Sequence, residues 1–277
     1  MIAYSPSSPV LQKLRAAASA VFSPSAFRPA SRVPSLDGLR ALSIMLVLLS
    51  HAQGTRGFLV RSAFQYWGDL GHLGVRVFFE ISGFLITGLL LREVETTGSI
   101  SLKGFYLRRF FRIFPAYYAY IAVIALCAYW HRVVLSKDDL LYALTYTMNY
   151  HSARSWLVGH AWSLSVEEQF YLLWPAVVAF GRRRGALRVA AVAVLLAPMV
   201  KMSTYYLLPS WRPTMGESFQ TVADTLAVGC LLAIGRDWLK QRGWYVRMLG
   251  SKFMLCVPDH PDHELAASAR PLQLAMR

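Results

Sequence analysis

Six apolar segments between residues 36 and 234 are each close in length to a helix that crosses a membrane. Such a helix needs about 20 predominantly apolar residues. It must also satisfy its own backbone hydrogen bonds, because the bilayer core holds no water. The pattern therefore predicts an all-α, polytopic transmembrane bundle. The predicted spans are 36–54, 73–91, 110–130, 156–180, 187–208 and 219–234.

The composition fits a membrane protein better than a nucleic-acid-binding protein. Hydrophobic residues make up 55% of the chain and charged residues only 16%, whereas soluble domains carry about 25% charged residues. The net charge of +14 would suit nucleic acid, but the basic residues lie between the apolar segments and not along one soluble face. No cluster of His, Cys, Asp and Glu has the spacing of a metal site, so we expect no metal.

The basic residues also predict the orientation and the domain boundaries. Most Lys and Arg side chains lie in the leader and in the connections after the second, fourth and sixth segments. Cytoplasmic loops are enriched in these residues, so the amino terminus is predicted to be cytoplasmic. We expect a flexible cytoplasmic leader (1–34), a membrane domain (35–236) and a disordered cytoplasmic tail (237–277).

Two ionisable residues stand in the first segment. Arg40 and His51 are eleven residues apart, which is close to three helical turns and about 16 Å. Both side chains therefore share one face of the helix, and Asp37 falls on the same side. Ionisable groups inside a membrane usually face a protein interior or a wet cavity, so this face predicts a site. A neutral imidazole can take a proton from a hydroxyl, which makes His51 the candidate catalytic base.

A second pair of arginines begins the third segment. Arg109 and Arg112 are three residues apart among aromatic neighbours. Guanidinium groups grip phosphates bidentately, so this pair predicts a site for a phosphate-bearing donor. Simple anchoring at the cytoplasmic surface remains an alternative for basic residues at this depth.

A stripe of polar and aromatic residues begins the fourth segment. Adjacent residues on a helix point about 100° apart, so Glu167 and Glu168 should not face one pocket. We predict that Glu167 is the functional carboxylate, with a structural ion pair to an arginine as the alternative. Its stripe comprises Ser163, Glu167, Tyr171 and Trp174. The predicted substrate-binding residues are Asp37, Trp162, Ser163 and Tyr171.

The second segment contains two glycines that predict close helix packing. Gly83 and Gly88 would let another backbone approach, and Ser82 can form a hydrogen bond across helices. Glu80 is unusual in so apolar a stretch. We interpret this segment as packing around the site.

Together these motifs resemble the acyltransferase 3 family of bacterial integral-membrane O-acyltransferases. The matching stretches are LDGLRA followed by His51, then FFEISGFLIT, then Arg109 and Arg112 before Ile-Phe-Pro, then WSLSVEEQFYLLWP, and finally ADTLAVG. They occur in the family's order and cover about residues 35–235. Glu80 departs from the family pattern, which usually has an apolar residue there.

The resemblance implies transfer of an acyl group, often acetyl, from acyl-CoA to a hydroxyl of a carbohydrate or lipid-linked glycan. Arg40 and His51 match the family's essential pair, with the histidine as the base and the arginine orienting the site or stabilising an oxyanion. Arg109 and Arg112 match its second arginine motif, and Glu167 matches its acidic position. The expected partners are the bilayer of the bacterial inner membrane, acyl-CoA as the donor and the glycan acceptor.

Two other functions stay open from the sequence. The resemblance implies a core of about ten spans of the length a bilayer requires, so six spans predict a shortened acyltransferase, with an inactive truncated acyltransferase as one alternative. A transporter or flippase would also carry charged groups inside the membrane. Transporters often show inverted repeats, and the sequence shows none.

Overall fold

The computed structural model describes residues 34–53 and 70–249. These two ranges contain α-helices, short 3₁₀ helices and no strand, which confirms the all-α prediction for them. The helices are α1 (Pro34–Gln53), α2 (Leu70–Thr97), α3 (Leu102–Tyr129), α4 (Asp139–Leu144), α5 (Trp156–Gly159), α6 (Trp162–Leu207), α7 (Phe219–Lys240) and α8 (Gly243–Leu249). The 3₁₀ helices are Met148–Tyr150 and Pro209–Thr214.

The longest helix, α6, consists of two limbs joined at Arg182. The backbone of this residue is not helical, with φ of 49° and ψ of −160°. The limbs are residues 162–181 and 183–207. At 1.5 Å per residue each limb is about 30 Å long or longer, which is enough to cross the bilayer core. The predicted fourth and fifth spans therefore correspond to the two limbs of one interrupted helix.

The second limb of α6 runs antiparallel to α7. Near its start, the Arg183 guanidinium donates a hydrogen bond to the carbonyl oxygen of Ile234, close to the end of α7 (2.6 Å). Near its end, the Lys201 ammonium group contacts the Asp224 carboxylate, close to the start of α7 (3.1 Å).

The first limb of α6 and α7 start on the same side of the bundle. Arg154, which precedes this limb, donates a hydrogen bond to Glu217, which precedes α7 (2.6 Å). The two helices therefore run in the same direction, and the chain reverses its direction at Arg182.

The described parts of the six predicted segments are largely helical, but the structure groups them differently. Within residues 34–53 and 70–249, four stretches are long and apolar enough to cross a membrane, and the longest of them contains both limbs of α6. The first segment, which forms α1, is not one of these four stretches. The four stretches are Leu70–Thr97, Leu102–Tyr129, Trp156–Leu207 and Pro209–Lys240.

The helix α3 begins well before the predicted third span. Ser101 caps its start, and the serine hydroxyl accepts a hydrogen bond from the amide of Gly104 (3.3 Å). Pro115 lies inside the helix without ending it. Because α3 starts at Leu102, Arg109 and Arg112 are two to three turns inside it and not at its first turn.

The helix α1 packs against both α2 and the first limb of α6. It runs antiparallel to α2, so that Arg40 lies beside Phe78 and Ser43 lies beside Gly74. The His51 ring at its other end lies 6.2 Å from the ring of His160, just before α6. These three helical segments surround the candidate site.

The main hydrophobic core joins α2, the first limb of α6 and α7. Phe79, Val166, Val178 and Leu226 are among its fully buried side chains. One polar bond crosses this core, because the indole nitrogen of Trp174 donates to the Thr87 hydroxyl (2.8 Å). The core therefore holds α2 and α6 in a fixed register next to the site.

Helical structure continues past the predicted boundary of the membrane domain at residue 236. The helix α7 extends to Lys240 and is followed by α8, which ends at Leu249. The rest of the predicted tail, residues 1–33 of the predicted leader and the segment 54–69 lie outside the described residues.

Candidate functional site

The Glu167 carboxylate lies at the centre of a buried polar cluster between α2, α3 and α6. The Ser82 hydroxyl donates to its Oε1 at 2.5 Å, and the Tyr171 hydroxyl donates to the same oxygen at 3.2 Å. The positive charges of Arg109 and Arg40 also act on this carboxylate. A buried carboxylate is costly unless it is hydrogen-bonded and near opposite charge, and both conditions hold here. We call Ser82, Arg40, Arg109, Glu167 and Tyr171 the inner cluster.

The two arginines of α3 occupy different environments. The Arg109 guanidinium stacks over the ring of Tyr171, with 4.3 Å between its central carbon and the ring centroid. It also lies 5.8 Å from the ring of Phe105. Arg112 is exposed, although its charge reaches Arg109. The structure therefore brings only Arg109 into the inner cluster and leaves Arg112 at its edge.

Arg40 approaches the inner cluster from α1. Its guanidinium carbon lies 6.0 Å from the centroid of the Phe78 ring. The Nε atom is buried and has no hydrogen-bond partner among the residues that the structure describes.

His51 belongs to a second cluster, at the other end of α1. Its exposed imidazole lies 6.4 Å from the Trp156 ring at an interplanar angle of 89°. The His160 ring lies 6.2 Å away from the His51 ring. The Tyr120 ring lies 5.8 Å from that of His160. We call His51, Trp156, His160 and Tyr120 the outer cluster.

A cavity of about 270 Å³ lies along α1 between the positions of the two clusters. Its lining on α1 falls between Arg40 and His51, and its lining on α6 falls between His160 and Tyr171. Most of the wall is apolar, and Glu167 supplies a carboxylate at the inner end. The lining residues are Ser43, Ile44, Val47, Leu48, Val75, Phe78, Phe79, Ser163, Leu164 and Glu167.

This arrangement agrees with the comparison of the sequence with known families. A family model described as an acyltransferase domain matches residues 33–257. The chain belongs to the acyltransferase 3 family. With its long apolar helices, it is a multi-pass membrane protein that carries an acyltransferase domain.

Several curated relatives of this acyltransferase 3 chain are O-acetyltransferases. The chain is 35% identical to the peptidoglycan O-acetyltransferase OatA of Listeria monocytogenes over 163 residues, which cover 52% of the chain and 24% of that protein. It is 29% identical to the O-acetyltransferase OatA of Staphylococcus aureus over 222 residues, which cover 73% of the chain and 34% of that protein. A putative O-acetyltransferase of Staphylococcus aureus is 35% identical over 159 residues, 53% of the chain and 24% of that protein.

The aligned part of this acyltransferase 3 chain spans only about a quarter to a third of the length of these relatives. No solved structure matches the chain.

The other predicted residues of this acyltransferase 3 chain lie around the cavity or outside it. Ser163 lines the cavity. Trp162 packs between the rings of His72 and Phe79, at 5.9 and 6.1 Å, so its contacts are those of a packing residue. Asp37 is exposed in the first turn of α1.

Three residues near the site were not among the predicted site residues. Ser82 was interpreted as a packing residue, and its hydrogen bond to Glu167 depends on how α2 pairs with α6. Trp156 begins the short α5 and His160 follows its last residue, and so short a helix has no periodicity that indicates which side chains face the site. A signal is nevertheless present in the sequence, because His160 lies two residues before the first residue of the matching WSLSVEEQ stretch.

A polar and aromatic lobe of residues 131–161 supports the outer cluster. In this lobe Tyr146 stacks on Tyr117 with 4.4 Å between the ring centroids. Burial raises the pKa of Tyr146 above its ordinary value, and the nearby charge of Glu168 raises the pKa further. The Tyr146 side chain is therefore a neutral phenol that packs against Tyr117.

Proposed function

We propose that this chain transfers an acyl group, in the simplest case acetyl, from acyl-CoA to a hydroxyl of a carbohydrate or other cell-envelope acceptor. The observation that carries this proposal is the cavity between the positions of an arginine–carboxylate cluster and an imidazole cluster. One end suits the anionic donor, and the other end suits a hydroxyl that must lose a proton. The relatives named as O-acetyltransferases support the reaction class.

The inner cluster would hold the donor on the cytoplasmic side of the inner membrane. Arg112 is exposed and free to meet phosphate, while Arg109 is fixed against Tyr171. Two guanidinium groups near one another can bind the phosphates of CoA through paired hydrogen bonds. The cavity has a volume of about 270 Å³ and a mostly apolar wall, which suits the acyl group and its thioester arm.

The outer cluster would carry out the proton transfer. The His51 imidazole accepts the proton of the acceptor hydroxyl while the oxygen attacks the thioester carbonyl carbon. The carbon–sulfur bond then breaks, and the CoA thiolate leaves with the proton that the imidazolium returns. The products are the O-acyl ester and free CoA.

Arg40 would orient the donor in this scheme. It lies about 16 Å from His51 along α1, so it is distant from an oxyanion that forms at the imidazole. Its buried Nε atom and its interaction with Glu167 place its charge at the inner end of the cavity. We therefore favour the orienting role over direct stabilisation of the oxyanion.

Acyl transfer is testable in membranes that contain the full chain. Labelled acetyl-CoA is added together with an oligomer of N-acetylglucosamine, and the label in the saccharide is measured. We expect transfer that exceeds the level in membranes without the protein. Transfer equal to that background would overturn the proposed function.

The donor role of Arg109 gives a separate prediction. Arg109→Gln should raise the KM for acetyl-CoA about tenfold or more, because a charge-assisted contact to phosphate is lost. Arg108→Gln is the matched control, since Arg108 is the adjacent exposed arginine. Equal KM values for the two variants would remove Arg109 from donor binding.

A further inference from the structure

The outer cluster contains more groups than the proton transfer needs. We propose that Trp156 and His160 form the acceptor subsite, where a sugar ring lies on the indole and one hydroxyl is held beside His51. This inference rests on the proposed function and adds the residues that select the acceptor. It places acceptor binding at the opposite end of the cavity from Arg109.

The geometry around His51 fits a polar ligand that also has apolar faces. The Trp156 side chain is 70% exposed and stands perpendicular to the His51 ring, so a planar face is open beside the imidazole. A pyranose ring presents C–H groups on its faces and hydroxyls around its edge. The aromatic face suits the C–H groups, and two imidazoles suit the hydroxyls.

The two imidazoles are placed so that they can bind neighbouring hydroxyls of one sugar. Their ring centroids lie 6.2 Å apart at an interplanar angle of 72°. The His160 ring donates its N–H to the backbone carbonyl of Trp156, so its other nitrogen can accept a hydrogen bond from one sugar hydroxyl while the neighbouring hydroxyl donates to His51. The second imidazole would thus position the sugar without taking part in the proton transfer.

The segment that contains Trp156 and His160 is held by hydrogen bonds to the rest of the protein. The Tyr120 hydroxyl of α3 donates to the carbonyl oxygen of Leu157 at 2.5 Å. The buried Asp139 carboxylate accepts a hydrogen bond from the amide of Ser155 at 3.2 Å. A subsite that is held in place before the ligand arrives loses less entropy on binding.

The usual enrichment of tryptophan at membrane surfaces does not account for the whole arrangement. That preference explains why Trp156 is exposed near the end of the bundle. It does not explain why the Trp156 ring meets His51 edge to face, or why the ring of a second histidine lies 6.2 Å from that of His51. These two contacts favour a ligand site.

The first test measures steady-state kinetics with the full chain in membranes, acetyl-CoA and tetra-N-acetylchitotetraose. Trp156→Ala should raise the KM for the saccharide about five- to tenfold and leave the KM for acetyl-CoA unchanged. Trp156→Phe should recover much of the loss, because a flat ring remains. Trp244→Ala is the control, since Trp244 is also exposed but lies on α8, after the far end of α7.

His160 is tested in the same assay. His160→Ala should raise the KM for the saccharide, and His160→Gln should raise it less, because the amide oxygen still accepts a hydrogen bond. A merely structural role would change both KM values and the amount of folded protein. Unchanged saccharide KM values in the Trp156→Ala and His160→Ala variants would overturn the subsite.

Direct binding of the same saccharide separates this inference from the proposed function. Saturation-transfer NMR on the purified full chain needs no turnover. Binding that weakens in Trp156→Ala but not in Trp244→Ala supports the subsite even if no acetyl transfer is found. Acetyl transfer together with equal binding by both variants supports the function and overturns the subsite. Absence of saccharide binding by the wild-type protein also overturns the subsite.

Discussion

Replacing His51 with alanine should lower the kcat for acetyl transfer by about 10²- to 10⁴-fold, the usual contribution of a general base. His51 is an exposed imidazole one turn beyond Leu48, the last residue of α1 that lines the cavity, and the inner cluster contains no imidazole. Its carboxylate, Glu167, already accepts two hydrogen bonds and interacts with two arginines. The measurement is the rate of label transfer at saturating acetyl-CoA and acceptor.

A matched pair of variants separates the chemical role from general damage. His51→Asn keeps a polar side chain of similar size but cannot take the proton. His131→Asn makes the same change at an exposed histidine at the end of α3, where φ is 54° and asparagine is well tolerated. We expect the first variant to lose activity and the second to keep it. If the kcat of the His51 variants equals that of the wild type, the base must be another group.

Helical periodicity predicted the placement of several site residues before the fold was known. The spacing of Arg40 and His51 put both on one side of α1, and both lie on the side that faces the first limb of α6. The 100° step between neighbours separated Glu167 from Glu168, and Glu167 is the one that lines the cavity. Their catalytic roles stay predictions until the variants are measured.

The contacts between helices could not be predicted in the same way. Arg109 and Arg112 share a predicted face of α3. Only Arg109 packs against Tyr171 of α6, however, and Arg112 is exposed. Arg40 and His51 share a face of α1 but belong to different clusters. They are about 16 Å apart along the helix axis, which is too far for both side chains to contact one small site. The outer cluster depends on the short α5 segment, which has no periodicity to interpret.

Gly83 and Gly88 of α2 show that sequence alone does not identify which glycines pack closely, and they give the second large prediction. Both were predicted to allow close packing, but only Gly83 does. A Cβ atom at Gly83 would collide with the carbonyl oxygen of Leu226 on α7, and Gly229 of α7 is equally close to the carbonyl of Glu80. A Cβ atom at Gly88 would meet nothing within 4 Å. The sequence shows which glycines would permit close approach of another helix. Only the fold shows which of them contact a neighbouring helix.

Gly83→Ala should therefore destabilise the protein by about 1–3 kcal/mol, whereas Gly88→Ala should be neutral or stabilising. Alanine has a higher intrinsic helix propensity than glycine at both positions. A lower stability of Gly83→Ala than of Gly88→Ala would therefore come from the contact between Gly83 and α7. The measurement is the midpoint of thermal unfolding of each variant in the same detergent. Equal midpoints for the two variants would mean that α2 and α7 do not touch at Gly83.

The Gly83 substitution should also lower acyl transfer more than the loss of folded protein explains. Ser82 precedes Gly83 on α2, and its hydroxyl holds the Glu167 carboxylate at 2.5 Å. A methyl group that pushes α2 away from α7 must shift Ser82 as well, because the two residues share one rigid helix. The remaining folded Gly83→Ala protein should then have a higher KM for acetyl-CoA, while Gly88→Ala keeps the wild-type value. A change in packing at Gly83 should therefore alter the arrangement of charges in the inner cluster, because Ser82 is its neighbour in α2.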